Sequence, residues 1–412
     1  MPELKVEIDP TEAGFAPDRL ARIDRHLARY VDDGWLPGWL VVVSRDGRVV
    51  HLGVRGQRDV EAGRPVQLDT VFRIGSMTKP ITSVAALMLY EEGAFELKDP
   101  VGRFVPSFSD VRVYRRGSAA RLETDPVVEP VRIWHLLTHT SGLTYGFRRT
   151  DPVDALYRAA GFDLGAPPGM DLAAGCDALA QLPLLFEPGT EWNYGMSTDV
   201  LGRVIEVVSG QALDEFLTRR VFEPLGMTDT AFWVAGSHPD RVAVAYAADP
   251  ADERPVRDDT LGKAVPRRPE FLMGGGGLLS TAADYHRFTQ MLLRGGELDG
   301  VRLLGSRMLR YMTQNHLPRG VDLETFGRPI FPRTYFAGVG FGLGVSVLTD
   351  PTKNKVLRSA GEFGWGGVFN TYFWVDPIER ITALFLAQVL MSPTQFQIRP
   401  QLHQLVNQAL ID

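Results

Sequence analysis

The stretch Val71-Phe72-Arg73-Ile74-Gly75-Ser76-Met77-Thr78-Lys79-Pro80-Ile81 decides how the rest of the chain is read. Val71 to Ile74 is a short extended run of branched and aromatic residues, and Gly75 stops it. From Met77 the apolar positions Ile81, Val84, Leu87 and Met88 recur at helical spacing, which predicts a helix ending near Gly93. Ser76 and Lys79 then stand one turn apart on one face, at a strand-to-helix junction. A serine hydroxyl is a poor nucleophile at neutral pH and needs a base beside it. Burial beside an apolar helix disfavours a charged lysine, which prepares Lys79 to accept a proton. In the first helical turn the Ser76 N–H lacks an intrahelical acceptor and is positioned to donate to a developing oxyanion. Taken alone, Ser-x-x-Lys is a weak signal, because a capping serine and a surface lysine produce the same pattern.

On either side of this junction the pattern is extended. Leu40-Val41-Val42-Val43 and Val49-Val50-His51-Leu52 flank Asp46-Gly47, a strong hairpin signal. A strand is predicted over 368–375, a turn at Asp376-Pro377 and a strand over 381–389. Leu20, Ile23, Leu27, Tyr30 and Val31 mark an amphipathic helix over 17–33, and Leu402, Leu405, Val406 and Leu410 mark a last one. The middle is rich in Pro and Gly, with helical patches at 133–138, 200–208 and 213–221. Strands at both ends around a helical middle predict an α/β (α+β) architecture. One antiparallel sheet, flanked by helices, is built from both termini, with a mainly helical domain inserted.

Composition removes several classes of function. The 412 residues are 44% hydrophobic and 23% charged, as in a globular protein with a large core. A net charge of −6 argues against nucleic acid as a partner, and the short Arg115-Arg116 and Arg148-Arg149 pairs read as solvated surface. The single cysteine, Cys176, excludes an internal disulfide and reads as a packed small hydrophobe. Neither the charged N-terminus nor the apolar stretch 381–391 suits a targeting or spanning segment, so a cytoplasmic protein with no membrane partner is expected. Oligomeric state is not legible.

Four further stretches join the Ser76 junction. They are His135-Leu136-Leu137-Thr138-His139-Thr140-Ser141-Gly142-Leu143, Pro188-Gly189-Thr190-Glu191-Trp192-Asn193-Tyr194-Gly195, Gly275-Gly276-Gly277-Leu278-Leu279-Ser280-Thr281 and Trp365-Gly366-Gly367-Val368. In this order, from about residue 15 to residue 410, they resemble the serine β-lactamase/penicillin-binding-protein-like superfamily. The likeness is greatest to the class C β-lactamase-like esterases, the family VIII carboxylesterases. The resemblance implies two lobes, 1–95 with 290–412 and 96–289, with the active site in the cleft between them. It makes Ser76 the nucleophile, Lys79 its proton partner and Tyr194 the tyrosine of the Tyr-x-Asn motif, sharing a proton with Lys79. By the same alignment Ser76 and Val368 supply the oxyanion N–H groups, and Trp365, Gly366, Gly367 and Met196 contact substrate. No cofactor and no metal are implied.

Two positions depart from the lactamase pattern. Trp365 stands where Lys-Thr-Gly would place a cation for the substrate carboxylate, and Met196 replaces the Asn that would meet a substrate amide. Both changes trade polar recognition for apolar surface. The expected activity is therefore serine carboxylesterase action on short-chain, neutral esters through a Ser76 acyl-enzyme, with a weak side activity on cephalosporins. The rivals are an acyltransferase using the same intermediate, a β-lactamase or D-Ala-D-Ala peptidase, and a non-catalytic binding relative. His135 and His139 have the i, i+4 spacing of a metal pair but no third ligand nearby, so structural hydrogen bonding is the expected role. The chain has no Gly-x-Ser-x-Gly elbow. Segment 150–185 is expected to wall or cover the pocket.

Overall fold

The computed structural model describes residues 4–234, 239–262, 266–328, 333–392 and 394–411. Strand β1, Gly38–Arg45, and strand β2, Arg48–Asp59, form the predicted hairpin. Asp46 and Gly47 both hold positive φ, 54° and 82°, which the tight turn matching strand twist requires. β2 continues to the short β3, Arg64–Pro65. From the C-terminal third come β4, Val339–Phe341, β5, Ser346–Leu348, β6, Phe363–Gly367, β7, Thr371–Asp376, and β8, Ile381–Leu386. The eight strands order as β4-β5-β6-β7-β8-β1-β2-β3, antiparallel throughout. The two ends of the chain thus meet at the β8–β1 pair, where Val42 lies opposite Leu384.

Period-two alternation assigns the strand residues to two cores. Trp39, Val41 and Val43 join Trp374, Ala383 and Phe385 on one face. Helix α1, Arg22–Asp32, covers that face through Ile23 and Leu27. On the other face Leu40 and Val42 join Phe373, Val375 and Leu384. Against this larger core lie α2, Thr78–Glu91, α3, Ser197–Ser209, and α4, Ala282–Leu293. Every residue of α2 from Thr78 to Leu89 is buried, so its apolar surface runs all round, as a central helix requires. Pro80 is tolerated in its first turn because an N–H there has no intrahelical acceptor. A last helix, α5, Gln395–Asn407, returns to the first face through Ile398, Leu402 and Val406.

Four expectations change. The run 71–74 contributes only Phe72–Arg73 as strand, and it pairs with Leu279–Ser280 outside the large sheet. Of the strand predicted over 368–375 only β7 is extended, because 368–370 form the turn that follows β6, in which Asn370 takes φ 62°. Hydrophobicity hid that turn, since Phe369 is apolar and buried like its strand neighbours. The last helix ends at Asn407, so Leu410, expected within it, lies beyond its end. The boundary expected between 289 and 290 falls inside α4, which packs on β8.

Candidate active site

Ser76 lies in a 3-10 turn, Gly75–Met77, that leads directly into α2. Gly75 adopts φ +53°, and a Cβ there would stand 3.2 Å from the Val368 nitrogen, so the turn and the end of β6 are in close approach. Gly367 is as tightly held, because a Cβ on it would lie 2.2 Å from the Ile74 carbonyl oxygen. Thr78 Oγ1 donates to the Gly75 carbonyl at 2.7 Å and accepts from the Leu278 N–H at 3.2 Å. Thr82 donates to the Gly274 carbonyl at 2.8 Å. The glycine-rich segment 274–277 is therefore pinned along the first turn of α2.

Lys79 is 1% exposed and reaches three acceptors: the Gly275 carbonyl at 2.6 Å, the Tyr145 hydroxyl at 3.0 Å and Ser76 Oγ at 3.4 Å. An ammonium has three hydrogens, and these partners use all of them. The amine also stands over the Tyr194 ring, 4.5 Å from its centroid. The Tyr194 oxygen accepts the Trp365 indole N–H at 3.1 Å and has no hydrogen bond to Lys79 or Ser76. Trp365 thus occupies the site as an N–H donor to the phenol, while its ring stacks at a tilt 5.4 Å from Tyr194.

Behind Lys79 sits Asp199, a fully buried residue in the first turn of α3. Its Oδ1 accepts the Gly275 N–H at 2.9 Å, so the backbone of a single residue stands between this carboxylate and Lys79. Burial pushes its carboxyl up to about 6, against the opposing pull of Lys79 and the Gly275 N–H. Burial also pushes the Tyr145 phenol well above its ordinary value, reinforced by Asp199 and Tyr194.

Ser76, Tyr145, Tyr194, Trp365, Gly366, Gly367 and Val368 share the wall of one cavity of about 350 Å³. Phe147, Leu164, Met273, Tyr335 and Phe336 make much of the remaining lining apolar. Leu164 is the contribution of segment 150–185 to that wall. The Val368 N–H donates to no acceptor among the described residues, and the Ser76 N–H lies in the first turn of its 3-10 helix. One predicted site residue is misplaced: Met196, expected to touch substrate, is fully buried in the core and lies off the cavity wall. Gly195 packs on the Leu143 carbonyl so closely that a Cβ would lie 2.3 Å from its oxygen, and the chain turns inward there.

Three groups escaped the sequence reading. Tyr145 follows the His135–Leu143 motif by two residues, Asp199 follows Tyr194 by five, and the Gly275 carbonyl is backbone. None carries a spacing signal; each is recruited from a distant element. The two motif histidines are structural. His135 Nδ1 accepts the Arg132 N–H at 3.1 Å and burial holds its ring down to about 4. His139 packs 5.0 Å from the Tyr194 ring, and burial together with Lys79 keeps it neutral. Cys176 is fully buried, with its thiol pushed well above the usual range.

A serine and two tyrosines in the wall of a largely apolar cavity, with a buried lysine among them and an antiparallel sheet packed with helices around them, define the class of protein. The chain belongs to the Beta-lactamase family, whose model matches residues 23–408. Protein Rv1367c of Mycobacterium tuberculosis is 38% identical over 361 residues, 87% of each chain. Esterase EstB of Burkholderia gladioli is 32% identical over 403 residues, covering 95% of this chain and 94% of its own. Among solved structures, EstCE1, described as a hydrolase with promiscuous acyltransferase activity, superposes with a TM-score of 0.78 at 27% identity, over 94% of this chain and 99% of its own. The fold is that of the β-lactamase-like group, and the family is one of hydrolases and acyltransferases. Among the described residues no helix is long and apolar enough to cross a membrane.

Proposed function

We propose that the protein is a serine carboxylesterase that hydrolyses short-chain, neutral esters through an acyl-enzyme on Ser76. The observation that carries this reading is the Ser76 Oγ at 3.4 Å from the Lys79 amine, facing a largely apolar cavity with the uncommitted Val368 N–H beside it. The Ser76 oxygen attacks the ester carbonyl and its proton passes to the Lys79–Tyr194 pair. The Ser76 and Val368 N–H groups hold the oxyanion. Collapse breaks the bond to the alcohol, which leaves with that proton from Tyr194. Water then repeats the sequence and frees the acid.

Arg73, Arg358 and Arg399 also reach the cavity wall, Arg358 paired with Glu362, so the case for a neutral ester rests on Trp365 beside Tyr194. Trp365 offers ring surface and one N–H, already directed to Tyr194, and no cation. The similarity to Esterase EstB supports ester hydrolysis over lactam hydrolysis. Similarity to EstCE1 supports a second reading, transfer of the same acyl group to an alcohol. A panel of p-nitrophenyl esters beside nitrocefin, run on wild type, Ser76→Ala, Lys79→Ala and Tyr194→Phe, tests the proposal. Expected are turnover of short acyl chains, little of nitrocefin, and losses of about 10³-fold or more in the Ser76 and Lys79 variants. Full ester turnover by Ser76→Ala removes the proposal. Added alcohol that captures most of the acyl group moves transfer ahead of hydrolysis.

A further inference from the structure

Two phenols flank the Lys79 amine, and their hydrogen bonds differ. Tyr194 turns its oxygen to the Trp365 indole N–H at 3.1 Å, so an acceptor position of that oxygen is filled by the protein. Tyr145 turns its oxygen to the Lys79 amine at 3.0 Å. The Tyr145 hydrogen itself has no acceptor among the described residues, although the residue is only 3% exposed. A buried O–H without an acceptor is costly, and such groups are rare in folded proteins. The cavity wall contains both Tyr145 and Ser76, and the Lys79 amine spans the two hydroxyls. Phe147 stacks on the Tyr145 ring at 5.2 Å and holds it in this position. Burial and the nearby Asp199 keep the phenol protonated, so it stays a donor.

Building on the acyl-enzyme reading, we propose that Tyr145 is a second catalytic tyrosine, whose hydroxyl donates a hydrogen bond to the alcohol oxygen of the ester. In acylation that oxygen is the leaving one: the Ser76 oxygen–carbon bond forms, the ester carbon–oxygen bond breaks, and the Ser76 proton reaches the departing alcohol through Lys79 and Tyr194. In deacylation the entering water takes the same locus, gives its proton back to Ser76 along the reverse route and displaces the Ser76 oxygen. Tyr145 keeps its own proton in both halves. Its contribution is to hold the oxygen and to spread the negative charge that builds there. The demand for such a donor grows with the basicity of the leaving alcohol.

The experiment measures kcat/KM of wild type and Tyr145→Phe on acetate esters of p-nitrophenol, phenol and a simple alkanol. A fluorophosphonate first titrates Ser76 in both proteins. Tyr145→Phe is expected to label to the wild-type stoichiometry and to lose a few-fold on the p-nitrophenyl ester. On the alkyl ester the loss is on the order of 100-fold, the size seen when a donor to a developing oxyanion is removed. A merely structural tyrosine would lower every ester by one factor. Equal loss across the series, or no loss on the alkyl ester, overturns the role of Tyr145. Wild type that fails to label with the fluorophosphonate overturns the acyl-enzyme reading itself. Tyr145→Gln, which retains a donor, recovers part of the alkyl-ester rate; a gain of the same factor on all three esters counts against the proposal.

Discussion

Lys79 commits every ammonium hydrogen inside the protein, to Gly275, Tyr145 and Ser76. The amine is thereby held against Ser76 Oγ in one rotamer, and only its neutral form has the lone pair that can take the Ser76 proton. Trp365 solves a different problem at the same site. Where a lysine would bring charge to the Tyr194 oxygen, the indole brings one neutral donor and a ring that also packs on Phe341 at 5.3 Å. Trp365→Phe keeps most of the ring contact and removes the donor. A single neutral hydrogen bond of roughly 1 kcal/mol corresponds to about a five- to tenfold change in rate. The expected result is a drop of about that size in kcat on short esters, with KM little altered. Steady-state kinetics of the two proteins checks it; a change confined to KM would make Trp365 a binding surface only.

At the scale of elements, the site depends on three segments brought together along the start of α2. The 3-10 turn carries Ser76, the turn after β6 carries Val368, and segment 274–277 carries the carbonyl that anchors Lys79. Glycines make these approaches possible: Gly75, Gly275 and Gly367 each have a neighbour where a Cβ would go. Asp199 on α3 fixes the third segment through the Gly275 N–H. Its carboxyl is pushed up to about 6, so it takes up a proton as pH falls through that value. The charged acceptor of the Gly275 N–H is then lost, and with it the tight hold on the carbonyl bound to Lys79. Ester hydrolysis is expected to fall as pH drops through about 6. Asp199→Asn keeps an acceptor but no charge, and should run at the low plateau with that limb flattened. Profiles of kcat/KM from pH 5 to 8 for both proteins provide the comparison. An unchanged limb in the variant assigns the titration to another group.

Across the whole molecule, the sheet separates two cores and joins the ends of the chain at β8 and β1. A buried ionic group reaches the wall of the same cavity through Arg358 and Tyr372. Arg358 and Glu362 pair at 2.6 Å, and the Tyr372 hydroxyl meets His403 at 3.0 Å. Burial pushes the Glu362 carboxyl up to about 7 despite the Arg358 charge. A carboxyl whose folded pKa exceeds its unfolded one binds more protons in the folded state. Its contribution favours the fold at pH below the unfolded value and is lost as pH rises through the folded value. Glu362 therefore makes the protein lose stability as pH rises from about 4 to about 7. Denaturation by urea at a series of pH values should show a steeper decline between about pH 4 and about pH 7 in wild type than in Glu362→Gln. Parallel slopes would mean that Glu362 does not titrate in that window.

The hairpin at Asp46-Gly47, the helix behind Ser76 and Lys79, and the motif tyrosine were all legible in the amino-acid order. Each is written locally, in a turn that needs two positive φ values, in apolar residues at helical spacing or in a short run of specified side chains. Folding alone chose Tyr145 and Gly275 as partners of Lys79, from 66 and 196 residues away. It also turned Met196 into the core and placed a turn at 368–370, where the sequence reads as the start of a strand. Periodicity records which face of an element is buried. Which distant polar group meets a buried amine depends on how the elements pack, and that has no period.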